Sequence, residues 1–449
     1  MRVVLLSTYD LGRQPFGLAS PAAWLKRAGF DVTCVDLSRE KLTPDVVAGA
    51  GFAAFYLPMH TATRLAMPVI ARLRAVNPWL PIAAYGLYAP LNEALLRESG
   101  VSIVLGPEAE EDLVVWAGAA GGAGRAGALP RLAFIPPDRT GLPPLDRYAS
   151  LQMPDGSSKI VGATDATRGC KHRCRHCPIV PVYDGQFRVV PVDVVMADVR
   201  AQVAGGATHI TFGDPDFFNG PTHARKLIET LHAEFPALTY DAIIKVEHLL
   251  HHRELLPVLA GTGCLFVTSA VESVDDEVLA KLEKGHTRAD FVAAAALCRA
   301  AGLTLVPTFV AFTPWTTIDS YRDLLDVVGA LDLVPNVAPV QWGIRLLVTW
   351  QSRLLELPDI RALVGPFDRT TLTFPWRHPD PRVDELQAHT MVIAGARPNG
   401  SRHEVVAQIR ALLAPEHPST SAPQHLSTSA PEHLKLRTDI PYLNEPWYC

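Results

Sequence analysis

Seven cysteines are spread unevenly through the chain, and three of them fall within eight residues. Cys170, Cys174 and Cys177 stand in C-x3-C-x2-C spacing inside the run "ATRGCKHRCRHCPIVPVY". Three thiolates on one tight loop can hold three irons of a cubane [4Fe–4S] cluster and leave the fourth iron open, whereas ferredoxin-type electron carriers spend four cysteines. An open iron is available to a chelating small molecule, which makes the spacing that of a catalytic centre. A zinc site would need a fourth ligand, which His172 or His176 could supply, but zinc ligands usually come as two separated pairs. Arg168, Lys171, Arg173 and Arg175 crowd the loop, and such a basic collar suits a cluster of net negative charge. Cys34, Cys264 and Cys298 lie in apolar or helical surroundings, and Cys449 is the last residue. A disulfide framework is not expected in a long, core-rich chain.

The elements that must position this loop come in two series. Residues 1–118 alternate short apolar strands ("RVVLLST", "DVTCVDLS", 53–59, 81–86, 102–106) with helical runs such as Arg64 to Val76. That alternation predicts a doubly wound, Rossmann- or flavodoxin-like α/β domain with its ligand crevice at the carboxyl ends of the strands. Residues 119–154, which contain "GAAGGAGRAGALP", read as a linker. A second series covers 155–350, with strands expected at 160–165, 208–213, 239–246, 264–271, 303–312 and 339–348. Helices are expected between them, for example at 191–204 and 288–301. Six βα units predict a partial (β/α)6 TIM-type barrel whose chemistry sits at the carboxyl ends of its strands. The cysteine loop follows the first of those strands. Residues 351–412 read as a mainly helical C-terminal region. Residues 413–433, with "STSAP" twice, read as a disordered linker. The aromatic stretch 434–449, ending "IPYLNEPWYC", reads as a docking tail.

Over most of residues 155–350 the chain resembles the radical S-adenosylmethionine (SAM) superfamily. The resemblance implies that the amine and carboxylate of SAM bind the unique iron. It also implies that an electron from the cluster cleaves a C–S bond of SAM, usually releasing a 5′-deoxyadenosyl radical. An electron donor such as flavodoxin or ferredoxin is then a partner. His176 takes the position before the third Cys, usually aromatic in the family, where the ring borders adenine. In "HITFGDPDFFNG", Gly213, Asp214 and nearby Asp216 replace a Gly-Gly-Glu-like stretch that receives the methionine amine. "AVESVDDEVLAKLEKGHT" is similar to a stretch of cobalamin-linked and methylthio-transferring enzymes, and it puts Glu272 and Ser273 at the SAM ribose or carboxylate. Lys284 reads either as functional or as a helix-end cation. "PTFVAFTPWTT" brings Pro314 to the adenine border, with Trp315 stacking on a base or covering the barrel mouth. Arg345, inside the apolar run "VQWGIRLLVTWQS", needs an anionic partner, and the carboxylate of SAM or of Glu272 is the expected one. Glu272 and Arg345 are the residues expected to take part in catalysis.

The first domain resembles the cobalamin-binding domains that precede many radical SAM barrels. The D-x-H-x-x-G fingerprint is absent: Asp10 is followed by Leu11 and Gly12, and His60 is a stray loop histidine. The resemblance admits cobalamin, the missing His disfavours it, and weak or no binding is the expectation. The whole layout is also similar to a narrower group named for a Cys-Sec-Ala-Glu-Pro or Cys-Cys-Ala-Glu-Pro tail. That likeness implies a UGA codon after Cys449, and relatives with Cys-rich tails transfer a 3-amino-3-carboxypropyl group from SAM to arsenic.

Composition sets outer limits. With 449 residues, 48% hydrophobic content and a net charge of −5, the chain has no basic excess for nucleic acid. No stretch approaches the roughly 20 apolar residues of a membrane span, and the expectation is a cytoplasmic protein. The function expected is reductive cleavage of SAM, with transfer of a one-carbon or SAM-derived group to a small-molecule substrate. The rivals are aminocarboxypropyl transfer to a soft centre and, from another class, an iron–sulfur electron-transfer or redox-sensing protein.

Overall fold

A computed structural model describes residues 1–119, 129–396, 400–414 and 440–445. Five parallel strands open the chain: β1 (Arg2–Ser7), β2 (Asp31–Asp36), β3 (Phe52–Tyr56), β4 (Ile82–Tyr85) and β5 (Ile103–Val104), in the order β2-β1-β3-β4-β5. Their near-continuous apolar sequences are what a sheet covered on both faces requires. Alternate residues serve opposite cores. Val4, Leu6, Phe55 and Ala84 pack on one side, and Val3, Leu5, Ala54 and Ala83 on the other. The order reverses at β1, so the loops after β1 and β3 flank the crevice.

The second sheet runs β13-β12-β11-β10-β7-β6-β14. Its parallel part is β7 (Ser158–Thr164), β10 (His209–Phe212), β11 (Thr239–Ile243), β12 (Cys264–Glu272) and β13 (Thr304–Phe309). β6 (Ser150–Gln152) joins β7 antiparallel, and β14 (Tyr442–Leu443) joins β6. The short pair β8 (Thr167–Gly169) and β9 (Phe187–Val189) stands apart, immediately before and after the cysteine loop. Helices 381–396 and 402–412 follow the barrel.

The expected sixth strand at 339–348 does not form. Pro339–Trp342 is a 3-10 turn, and beyond it a single bridge, Phe312 to Arg345, continues the sheet. Trp342 and Val348 there are completely buried and Leu346 nearly so, while Leu347 is exposed. The buried ones pack from irregular backbone started by Pro339, which has no N–H for a ladder. Five parallel strands and this bridge make the partial barrel. Its lumen holds a cavity of about 300 Å³ lined by Asp241, Thr268, Thr308, Gln341 and Tyr442. Among the described residues no helix is long and apolar enough to cross a membrane. Residues 415–439 and 446–449, with most of the expected linker and Cys449, lie outside the described residues.

Candidate active site

Strand β7 ends at Thr164, the chain turns at Asp165 and Ala166, and β8 delivers Gly169 to the head of the cysteine loop. Gly169 has φ +78°, and a Cβ there would lie 2.4 Å from the Tyr183 ring and 2.6 Å from the Gln186 carbonyl. Only glycine fits. The Asp214 carboxylate, fully buried at the end of β10, accepts from Ala166 N (2.9 Å) and from Thr167 Oγ1 (2.5 Å). Asn219 accepts from Lys171 N and donates to the Gly169 carbonyl. Asp214 therefore holds the β7–β8 corner, and both its oxygens are spent on that corner. Burial pushes its pKa up to about 7.

The loop is also clamped from outside. Arg175 donates through its backbone N to the Leu282 carbonyl (2.8 Å) and through Nη1 to the Lys281 carbonyl (2.6 Å). Arg353 donates to the Arg173 carbonyl (2.7 Å). The arginines of the collar have acidic partners of their own: Arg173 with Asp184, Arg175 with Glu283, and Arg168 with Glu108 and Glu110. The Arg168 pairs join the two domains, because Glu108 and Glu110 follow β5. Tyr183 adds a hydrogen bond to Glu108 (2.6 Å), and the guanidinium lies over the rings of Phe16 and Phe134.

The cations that face the thiols come from elsewhere. Lys245, after β11, brings Nζ to 3.8 Å from Cys174 Sγ. Lys284 lies beside Cys174 and Cys177, whose electrostatic pull helps to raise its pKa after burial has opposed its charge and Glu272 has favoured it. Both ammonium groups are buried. Burial raises the Cys170 thiol to about 11 and the Cys177 thiol to about 12. Each lysine also has one acidic partner, Glu247 at 3.4 Å from Lys245 and Glu272 at 3.3 Å from Lys284. Two buried cations against three clustered thiols suit the added negative charge that a thiolate-held [4Fe–4S] cluster would bring, and the residues fit the cluster.

Glu272 ends β12 at φ +68°, where the register with β13 shifts. Its Oε1 lies 3.1 Å from His176 Nε2 and 3.3 Å from Lys284 Nζ. Burial works against its charge, but Lys284 and His176 prevail and hold the carboxyl at about 2. Asp216 lies deeper, with Oδ2 2.6 Å from His248 Nδ1 and 3.5 Å from His172 Nε2. Those two histidines overcome its burial and keep it near 2. Nδ1 of His176 and Nδ1 of His286 are buried without a protein partner among the described residues. A polar cofactor such as SAM, bound against the thiols, would find an ionised acid and open ring nitrogens there.

Other expected positions are differently engaged. Ser273 Oγ accepts from Asp275 N and supports the turn after β12. Gly213 N donates to the Thr164 carbonyl, closing β10 on β7. Pro314 is half-buried in the turn after β13. Trp315 is half-buried, its Nε1 donating to Asp359 and Lys281 lying over its ring. Arg345 does not meet Glu272. Its Nη1 donates to Asp384 (2.6 Å), its Nη2 to the Trp376 carbonyl (2.7 Å), and its guanidinium stacks 3.5 Å from the Trp376 ring centroid. With the sixth strand irregular, Arg345 turns outward to the C-terminal helices. Sequence reasoning named Asp216 and His172 but missed Lys245 and His248. The signal of Lys245 was a charged residue directly after an apolar strand.

Residues 165–328 match the family model of the Radical SAM superfamily, and the chain carries a radical SAM domain. Among curated proteins it is similar to the tRNA-2-methylthio-N(6)-dimethylallyladenosine synthase of Pseudomonas fluorescens, 23% identical over 57% of this chain and 58% of the relative. It is similar too to the ribosomal protein uS12 methylthiotransferase RimO of Geobacter sulfurreducens, 24% identical over 45% of this chain and 49% of the relative. The match thus spans about half the length of these relatives. Two solved structures share the fold. The radical S-adenosylmethionine methyltransferase TsrM from Kitasatospora setae, with tryptophan substrate and a SAM analogue, has a TM-score of 0.64 at 17% identity, over 80% of this chain and 76% of that one. The cobalamin-dependent S-adenosylmethionine radical enzyme OxsB, with aqua-cobalamin and SAM, has 0.67 at 12%, over 89% and 67%.

Cobalamin fits this chain less well than the cluster does. The space between the domains is about 240 Å³, less than the roughly 300–1,000 Å³ of pockets for drug-sized ligands, and a corrin with its amide arms is larger still. Tyr56 and Tyr85 stand in that space, and no histidine follows Asp10 at the fingerprint position.

Proposed function

We propose that this chain is an enzyme that reductively cleaves SAM at a [4Fe–4S] cluster on Cys170, Cys174 and Cys177, and transfers a one-carbon or SAM-derived group to a small substrate. The observation that carries the reading is the pair of buried lysines, Lys245 and Lys284, beside three buried or half-buried thiols. When bound, the cluster supplies the electron that breaks a C–S bond of the sulfonium. The chain's own work is to hold and insulate the reactants. Asp214, Asn219, Arg175 and Arg353 fix the thiol loop. His176 and Glu272 form a hydrogen-bonded edge for SAM. The relatives' transfer of methyl or methylthio groups supports a group-transfer enzyme, and the transferred group follows from which C–S bond breaks.

The test is anaerobic reconstitution of the full chain, reduction with dithionite and product analysis by mass spectrometry. 5′-Deoxyadenosine reports the adenosyl radical route and S-adenosylhomocysteine reports methyl transfer. Methylthioadenosine reports aminocarboxypropyl transfer, the outcome expected of a soft-centre substrate. Cluster absorbance without any SAM-derived product would replace this reading by the electron-transfer or sensing class. Cys174→Ala should lose both the absorbance and the products.

A further inference from the structure

The cavity between the two domains lies where the carboxyl ends of β1, β3 and β4 face those of β7 and β10. The proposed SAM cleavage assigns it no role. Asp10 enters it from the first domain and Asp165 from the second, each partly accessible. Asp10 and Arg13 flank a tight turn: Arg13 N donates to the Asp10 carbonyl (2.8 Å), with Leu11 at φ +50° and Gly12 at φ +71°. The turn brings both side chains to the cavity. Across it, Gly213 supplies the room. A Cβ there would stand 2.6 Å from Asp165 Oδ1 and 3.8 Å from Arg13 Nη1.

The charges do not balance inside the chain. Arg168, 3.9 Å from Asp165, is already shared by Glu108 and Glu110 at 3.1 and 2.7 Å. Arg13 is then the one free guanidinium for two carboxylates among the described residues, and its buried Nε has no partner. Burial brings Asp10 to about 7, against the pull of Arg13 and with Asp165 and Asp36 adding to the rise, and brings Asp165 to about 6 against Arg168 and Arg13. Tyr56, on the same wall, offers an aromatic face. Two acids, one ring and one open guanidinium nitrogen are the partners of an ammonium group and a neighbouring anionic group.

We propose that this cavity binds the small substrate, and that the substrate is a zwitterionic amino compound. Its ammonium lies between Asp10 and Asp165, and its carboxylate lies against Arg13. The assignment rests on the reading that the chain acts on a small molecule, and it puts that molecule beside the cysteine loop, since Gly169 and Ile179 line the same cavity.

Binding is measurable on the full, reconstituted chain by calorimetry without SAM or reductant. The probes are L-phenylalanine, phenethylamine and 3-phenylpropionate, which carry both charges, the amine alone and the acid alone. L-Phenylalanine is expected to bind most tightly, phenethylamine more weakly and 3-phenylpropionate least. The isosteric Asp10→Asn and Asp165→Asn should each weaken binding of the two amines about tenfold or more. Gly213→Ala should weaken it by crowding Asp165. Thermal melts and cluster absorbance of each variant separate lost binding from lost folding. Equal binding of 3-phenylpropionate, indifference to both Asn variants, or no binding of either amine would overturn the proposal. Absence of amine binding by the wild-type chain with intact SAM cleavage rejects this inference alone. Amine binding without SAM cleavage rejects only the proposed reaction.

Discussion

Lys284→Met is the most informative single change at the cysteine loop. In the folded chain Lys284 Nζ lies 3.3 Å from Glu272 Oε1, and both side chains are buried. A carboxyl with an ordinary pKa of 4.5 that titrates near 2 has its charged form favoured by about 3 kcal/mol. Lys284 is the larger of the two cationic influences, with His176 second, so the substitution should cost about 2–3 kcal/mol. The sign of the pH dependence follows. The folded pKa lies below the unfolded one, so this stabilisation is complete above about pH 4.5 and is lost as the pH falls towards 2. The gap between wild type and variant should be flat from about pH 6 to 8 and narrow in acid. Anaerobic urea titration measures it, and a cycle with Glu272→Gln isolates the pair. The double variant should recover about 2 kcal/mol relative to the sum of the singles, because no buried charge is left unpaired. Strict additivity would refute the coupling. Loss of the cation near Cys174 and Cys177 should also make the cluster's midpoint potential more negative.

Arg345→Ala should cost about 1–2 kcal/mol in stability, through lost contacts with Asp384 and Trp376, and leave SAM affinity unchanged. A weaker SAM Kd with an unaltered melt would return this arginine to the SAM site. For Asp214 the folded pKa of about 7 lies above the unfolded value, so the stability it gives is present below about pH 4 and is lost as the pH rises through 7. Asp214→Asn, whose amide can donate to Thr167 Oγ1, should therefore gain on wild type in melts as the pH rises from about 5 to 8. An unchanged pH slope would show that Asp214 stays charged. Protein incubated anaerobically with hydroxocobalamin and desalted should keep no corrin spectrum. A retained spectrum would mean that the domains part further than the 240 Å³ cavity implies.

The cysteine triad and the two βα series were legible because each is written locally. Three thiols in eight residues need no tertiary information, and apolar runs between helices report a sheet covered on both faces. The sixth strand misled because apolar content measures burial and not backbone shape: Trp342 and Val348 are as buried as any strand residue. Arg345 was correctly marked as needing an acid, but its acid, Asp384, belongs to a helix with no distinguishing pattern. The basic collar was visible, yet its charges go to Glu108, Glu110, Asp184 and Glu283, which are far apart in sequence. Lys245, the cation beside Cys174, is unremarkable in sequence. Its place becomes evident only when β11 is laid next to β10.

The pairing of β14 with β6 bears on how the protein is made. Tyr442 and Leu443 leave the ribosome roughly 270 residues after the cysteine loop, a delay on the order of 15–50 s at ordinary rates of translation. Until then the edge of β6 is uncovered and one wall of the barrel lumen is missing, while the thiols and the strands that carry them are already outside. Closing so long a loop adds little entropy beyond that of a shorter one, so the late arrival of this strand is a matter of timing and not of stability. Nascent chains thus pass through an interval in which the backbone groups of β6 have no partner on that edge. A chain stopped after Leu412 is expected to exchange the β6 amides faster than the full chain.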